Sequence, residues 1–228
     1  MLDQRAQGRP LQYILGKASF WSRDFQVTPD VLIPRPETEF VLEQALAVIR
    51  SSWPDTSCLD LLDLGTGSGV IADVLAAELG CAVVGVDISS QALRVARRNI
   101  TEHGLAERIF LLCADLFSAF APETRFHAII ANLPYVETDC ADQMDREVID
   151  FEPGTALFAG RDGLDCYRRC IAEAGEYLVS GGWLMLEIGA AQKEAIGRLL
   201  VSHGFINIKV RMDYGGLARF ACAQKALL

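Results

Sequence analysis

From residue 59 onward, apolar and polar positions along this chain follow two periods in regular alternation. Short, nearly continuous apolar runs predict strands over residues 59–64, 82–87, 108–115, 126–131, 183–188, 205–212 and 218–223. Apolar residues at helical spacing predict helices over 70–79, 89–103, 164–178 and 191–202 between them, and a Gly181-Gly182 turn precedes the fifth strand. Strands this apolar, alternating with helices, predict a mostly parallel sheet covered on both faces. The last two strands are separated only by Asp213-Tyr214-Gly215-Gly216-Leu217, too short for a crossover, so they form an antiparallel hairpin.

The part before residue 59 has a different pattern. Residues 1–16 begin as a polar tail and turn apolar at Leu11, Tyr13, Ile14 and Leu15. Phe20, Trp21, Phe25 and Val27 alternate loosely with polar residues, which suggests a small β-hairpin. In Leu32-Ile33-Pro34-Arg35-Pro36-Glu37-Thr38-Glu39 two prolines fix their own φ and restrict the residues before them, so this is a stiff loop. A helix follows over 36–51, with Leu42, Ala45, Leu46 and Ile49 on one face and Glu37 and Glu39 in the first turn. Two regions are expected: an N-terminal piece over 1–35, and one α/β domain over 36–228.

Charge and composition narrow the function. A net charge of −9 disfavours stable nucleic-acid binding, because neutralising phosphate needs the opposite sign. The 7 cysteines include no Cys-x-x-Cys pair and read as reduced thiols, while His103, His127 and His203 lie too far apart for zinc spacing, so no metal is expected. No signal peptide or membrane-length apolar run is visible, and a cytoplasmic protein is expected.

Candidate chemistry collects at strand ends. The first strand ends in Asp63 and passes through Gly65-Thr66-Gly67-Ser68-Gly69 into a helix, a turn whose glycines let backbone approach a ligand. Asp87 ends the second strand, where an acid can accept hydrogen bonds from both ribose hydroxyls. The alternative for Asp87 is a helix cap, which Ser89 and Ser90 already offer. Asp115 ends the third strand, and Asn132-Leu133-Pro134-Tyr135 follows the fourth. Asn132 and Tyr135 taken alone read equally as a turn cap and ordinary packing. Four acceptors at one sheet edge favour a nucleoside-bearing cofactor lying across it.

These motifs resemble those of class I S-adenosylmethionine-dependent methyltransferases, with their Rossmann-like sheet. The resemblance implies that Gly65, Thr66, Gly67, Ser68 and Gly69 lie under the methionine part of S-adenosyl-L-methionine. It further implies that Asp87 holds the ribose and Asp115 faces the adenine amino group, with Leu116 or Phe117 packing on the base.

More specifically, the chain is similar to the HemK/PrmC family, protein-(glutamine-N5) methyltransferases that act on class 1 peptide chain release factors. The likeness rests on Pro10-Leu11-Gln12-Tyr13-Ile14-Leu15-Gly16, the Ile33–Glu39 stretch, Phe151-Glu152-Pro153, Asp162-Gly163-Leu164 and Leu186-Glu187-Ile188-Gly189. It departs from the family in two places. Only nine residues precede Pro10, where members usually carry a helical domain that helps bind the release factor, and Leu133 stands where the family usually has proline. The Asn-Leu-Pro-Tyr form is also similar to the motif of ribosomal-RNA adenine dimethyltransferases, which makes amino-group methylation of nucleic acid the rival activity. A non-catalytic cofactor-binding domain is the third reading.

A glutamine amide nitrogen is a poor nucleophile with two hydrogens, so a methyltransferase needs two acceptors to hold it. Asn132 supplies one; by the resemblance the Leu133 carbonyl supplies the other, Pro134 stiffens the loop and Tyr135 lies against the amide plane. Arg35, Glu37 and Glu39 either shape the substrate entrance or brace the loop, and Glu152 and Glu187 carry the same two readings. A monomer is expected.

Overall fold

The computed structural model describes residues 1–227, the side chains of residues 141–143 excepted. The chain opens with two short helices, α1 (Leu2–Ala6) and α2 (Leu11–Leu15), where a polar tail was expected. Tyr13 explains the second: it is buried, and its hydroxyl donates to the Val31 carbonyl at 2.5 Å. Strands β1 (Lys17–Phe20) and β2 (Arg23–Gln26) form the expected hairpin, turning at Trp21 and Ser22 with positive φ at both. Helix α3 (Pro36–Ser52) starts with proline at its first turn and buries Phe40, Val41, Leu42, Ala45, Leu46 and Ile49.

The main sheet follows. In chain order it comprises β3 (Asp60–Leu64), β4 (Ala82–Asp87), β5 (Ile109–Cys113), β6 (Phe126–Ala131), β7 (Leu178–Glu187), β8 (Phe205–Met212) and β9 (Ala218–Lys225). Helices α4 (Val70–Leu79), α5 (Ser90–Glu102), α6 (Arg146–Phe151), α7 (Asp165–Tyr177) and α8 (Lys193–Ser202) connect them. The spatial order is β5-β4-β3-β6-β7-β9-β8, parallel through β7, with β9 antiparallel to both β7 and β8. The chain runs outward from β3 to β5, then returns to lay β6 on the other side of β3. That reversal makes the crevice beyond the carboxyl ends of β3 and β6 a topological switch point, where open α/β sheets bind ligands.

Alternation along the central strands divides the core. Leu61 and Ile130 join the cluster under α3 and α4, which also takes in Phe20 and Phe25 of the hairpin. Leu62 and Ile129 join the opposite cluster under α7 and α8.

Two stretches depart from the sequence pattern. The Gly181-Gly182 pair is not a turn before the fifth strand but a bulge inside it, where the register with β6 jumps from Phe126–Leu178 to Ala128–Trp183. Gly181 has φ +75°, and a Cβ on Gly182 would come within 2.9 Å of the His127 carbonyl oxygen. Residues 132–163, where no regular element was expected, contain α6 and two 3₁₀ turns, Thr138–Gln143 and Gly154–Ala156, tied back by a parallel bridge between Val136 and Phe158.

Candidate functional site

A cavity of about 350 Å³ opens at the switch point, within the range of about 300–1,000 Å³ common for small-molecule sites. Its floor is the turn from β3 into α4. Gly65 has φ +75°, and a Cβ there would sit 3.4 Å from both the Asn132 carbonyl oxygen and the Leu133 side chain. Gly67, at φ +54°, has only the Gly65 carbonyl near its missing Cβ, at 3.9 Å, so bare backbone faces the cavity. Thr66 and Ser68 also line it. Gly69 does not: its missing Cβ would lie 3.2 Å from Ala96, so this glycine lets α4 approach α5.

The four strand-end acceptors separate into three at the cavity and one beneath it. Asp63 was expected at the sheet edge, but it is fully buried under the loop. It accepts from Thr66 Oγ1 at 2.7 Å and from the Ala72 amide at 3.1 Å, so it fastens the glycine turn to the helix. Burial pushes its carboxyl up to about 7. Asp87 lines the cavity, taking the Gly67 amide on Oδ2 at 2.9 Å and the Ser89 amide on Oδ1 at 2.8 Å. Its carboxyl is raised by burial and makes no ion pair among the described residues. A ligand carrying adjacent hydroxyls would supply the donors this half-buried carboxylate can still accept.

Asp115 stands at the cavity rim and pairs with Arg169 of α7 at 2.7 Å. The backbone then turns at Leu116 with φ +48°, a conformation that costs a non-glycine residue about 1–3 kcal/mol. This turn puts Leu116 on the cavity wall. Phe117 goes the other way: it is fully buried and stacked on Tyr177, with centroids 4.8 Å apart and planes at 1°. Of the two residues expected against a base, Leu116 is therefore the one at the cavity.

Asn132, Leu133 and Pro134 line the far end. Asn132 donates Nδ2–H to Thr38 Oγ1 at 3.2 Å, and its Oδ1 has no partner among the described residues. Among the described residues no loop or cap hydrogen bond uses the Leu133 carbonyl either. Tyr135, expected to lie against a substrate amide, is off the cavity wall; its hydroxyl is drawn to the buried Glu187 carboxylate, donating to Oε1 at 3.3 Å. The Tyr135 carbonyl accepts from Gln192 Nε2 at 3.1 Å. Gly163 lies against that same carbonyl with φ +67°, so close that a Cβ would overlap it and would also meet Gln192 Nε2 at 2.9 Å.

Replacing Gly163 by alanine should thus displace the loop that carries Asn132. Strain at positive φ plus overlap predicts a loss of about 2–3 kcal/mol, a fall in Tm of roughly 4–12 °C for a chain of this size. Thermal unfolding checks it; an unchanged Tm would mean the loop has slack that the packing does not suggest.

The mouth is held by the proline-rich loop and the segment after α6. Arg35 pairs with Glu152 at 2.5 Å, and the other Glu152 oxygen accepts from the Ile33 amide at 3.1 Å. Pro34 and Arg35 line one wall, with Pro153 and Phe158 on another. Glu39 accepts from the Trp21 amide at 2.6 Å, so Arg35, Glu39 and Glu152 brace the loop. Glu187 is 1% exposed and accepts from Thr38 Oγ1 at 2.7 Å. The sequence reading missed Thr38 and Arg169; the Pro-Arg-Pro-Glu-Thr motif contained Thr38, but nothing local marked it apart from its neighbours.

Comparison with known proteins shows what the chain is similar to. Residues 61–151 match a family described as a methyltransferase domain. The chain is 39% identical over 225 residues to the release factor glutamine methyltransferase of Koribacter versatilis, covering 98% of this chain and 78% of that one. It is 42% identical over 220 residues to that of Geobacter sulfurreducens, covering 96% and 74%. Among solved structures, a Pyrococcus furiosus methyltransferase superposes with a TM-score of 0.67 at 16% identity, covering 98% of this chain and all of that one. A T. thermophilus 16S rRNA methyltransferase in complex with AdoMet and guanosine gives 0.66 at 21% identity, covering 92% of this chain and 49% of that one. At these identities the structural likeness speaks for the fold.

Proposed function

We propose that this chain, which belongs to the release factor glutamine methyltransferase family, presents the side-chain nitrogen of a release-factor glutamine to S-adenosylmethionine at Asn132. The chain is an S-adenosylmethionine-dependent methyltransferase, and its substrate is a glutamine of a release factor. The cavity fits this cofactor: bare backbone at Gly67 leaves room, and the Asp87 carboxylate has spare acceptor capacity facing in. Bound there, S-adenosylmethionine supplies a methyl group already activated by its sulfonium.

The residues divide the work. Gly65, Thr66, Gly67 and Ser68 receive the methionine part against backbone, Asp87 accepts from the ribose hydroxyls, and Asp115 and Leu116 hold the adenine. Asn132 Oδ1 and the Leu133 carbonyl accept the two hydrogens of the substrate amide, which keeps the nitrogen in line for attack. The observation that carries this reading is the polarity of Asn132. Its NH₂ gives one hydrogen to Thr38, which orients the amide, so the cavity-lining side chain keeps an oxygen that has no partner among the described residues. A backbone carbonyl needs no proline, so Leu133 can serve in that place, and Pro134 holds it near extended geometry.

In this reading the chain acts as a monomer, and its substrates are class 1 release factors. Release factors work with ribosomes, which supports the cytoplasm as the site of action. The net charge of −9 supports the absence of a stable nucleic-acid partner.

The test offers labelled S-adenosylmethionine with a class 1 release factor carrying its Gly-Gly-Gln motif, and separately with ribosomal RNA and DNA. Label is expected in the release factor, at the glutamine side chain by fragment mass. Label in nucleic acid alone would establish the rival amino-group chemistry.

A further inference from the structure

An asparagine is a reliable acceptor only if its amide cannot turn over, because half a rotation exchanges Oδ1 for Nδ2. Here the orientation is set from behind. Asn132 Nδ2 lies 3.2 Å from Thr38 Oγ1, which lies 2.7 Å from Glu187 Oε2, while Tyr135 donates to Glu187 Oε1. A hydroxyl has one hydrogen, and an ionised carboxylate only accepts. The Thr38 hydrogen is therefore committed to Glu187, and Thr38 can only accept from Asn132. The direction of every bond in the chain follows from the charge at its far end.

We propose that Thr38 and Glu187 are positioning residues that fix the polarity of the Asn132 amide, so that its oxygen faces the nitrogen to be methylated. This rests on the reading of Asn132 Oδ1 as an acceptor for the substrate amide. It assigns a task to the motif residue Thr38, which no local signal singled out, and to Glu187, which does not line the cavity and makes no ion pair among the described residues.

The mechanism has a built-in dependence on one proton. A protonated Glu187 could donate to Thr38, which would free the Thr38 hydrogen for Asn132 and allow the reversed amide. That amide would oppose NH₂ to the substrate NH₂. Burial pushes the Glu187 carboxyl up to about 7, opposed first by the Thr38 hydrogen bond and then by Arg219. The groups facing it are Glu37 and Thr38 from α3, Tyr135 after β6, Tyr167 from α7 and Arg219 from β9. The same burial pushes Tyr135 up to about 12 and Tyr167 well above its ordinary value, so both stay donors across the neutral range.

The experiment uses the full chain, S-adenosylmethionine and a class 1 release factor. Thr38→Val keeps the side chain's shape and removes the relay, and should lower kcat by about 10–100-fold, the worth of one hydrogen bond to a charged group. KM for the release factor and Kd for S-adenosylmethionine should stay near wild type, and Thr38→Ser should restore most of kcat. In the wild type kcat should rise with pH through about 7, and Glu187→Gln should flatten that limb. A second readout needs no turnover: the ¹⁵N spectrum of the Asn132 side-chain NH₂, assigned by its absence in Asn132→Ala. One NH₂ proton should exchange slowly, with a shift that titrates near pH 7 and no longer does so in Glu187→Gln. Wild-type kcat in Thr38→Val, no rescue by serine, or an NH₂ signal indifferent to Thr38→Val would each overturn the proposal. Failure of the wild type to label a release factor would instead overturn the reading beneath it, with the NH₂ spectrum still deciding the orientation.

Discussion

Asn132→Ala should reduce kcat/KM for release-factor methylation by about 10²–10³-fold, the usual cost of one preorganised group at the reacting centre. The loss should fall on kcat, with Kd for S-adenosylmethionine by calorimetry little changed. The reason lies in the geometry: Asn132 stands at the end of the cavity opposite the Asp115 rim, and the loop around it has its own supports. Gln192 and Gly163 hold the Tyr135 carbonyl, and Val136 donates its amide to the Leu157 carbonyl at 2.8 Å. Removing the side chain therefore removes an acceptor without releasing the backbone. Asn132→Asp sharpens the point. It keeps an acceptor oxygen, yet it brings a second carboxyl group to Thr38, whose single hydrogen is already given to Glu187. Rescue should be partial and should improve as pH falls and the two carboxyls come to share a proton. Full activity in Asn132→Ala would move the chemistry away from this loop.

How far the sequence could see is clearest from neighbouring pairs. Strand β6 has the bounds its apolar run predicted, because Arg125 and Asn132 close that run on either side. Asp63 and Asp87 could not be told apart by pattern, since both end apolar strands. What separates them is depth: Asp63 tucks under the glycine turn to hold Thr66 and Ala72, while Asp87 lies over it. Leu116 and Phe117 were equal candidates until a single positive φ sent one to the cavity and the other to the core. Thr38 and Glu187 meet across 149 positions. No periodicity encodes a contact of that range. The segment over 132–163 was unreadable for the same reason, because its order comes from distant partners such as the Arg35–Glu152 pair rather than from its own spacing.

Asp87→Ala should weaken S-adenosylmethionine binding by about 10²–10⁴-fold, while kcat at saturating cofactor stays close to wild type. Two hydrogen bonds to a charged acceptor, at about 1.5–3 kcal/mol each, set the scale, and every 1.4 kcal/mol is about tenfold in Kd. Part of the effect comes from the protein itself, since the same carboxylate receives the amides of Gly67 and Ser89 and so pins the glycine turn to the end of β4. Asp87→Asn separates the two contributions. One amide oxygen can still take the Ser89 N–H, but the NH₂ then opposes the Gly67 N–H, and only one acceptor is left for two ribose hydroxyls. Its Kd should fall between wild type and Asp87→Ala, and the order of the three by calorimetry is the check. Equal affinities in all three would place the ribose elsewhere and leave the half-buried Asp87 carboxylate as a fastening for the turn alone.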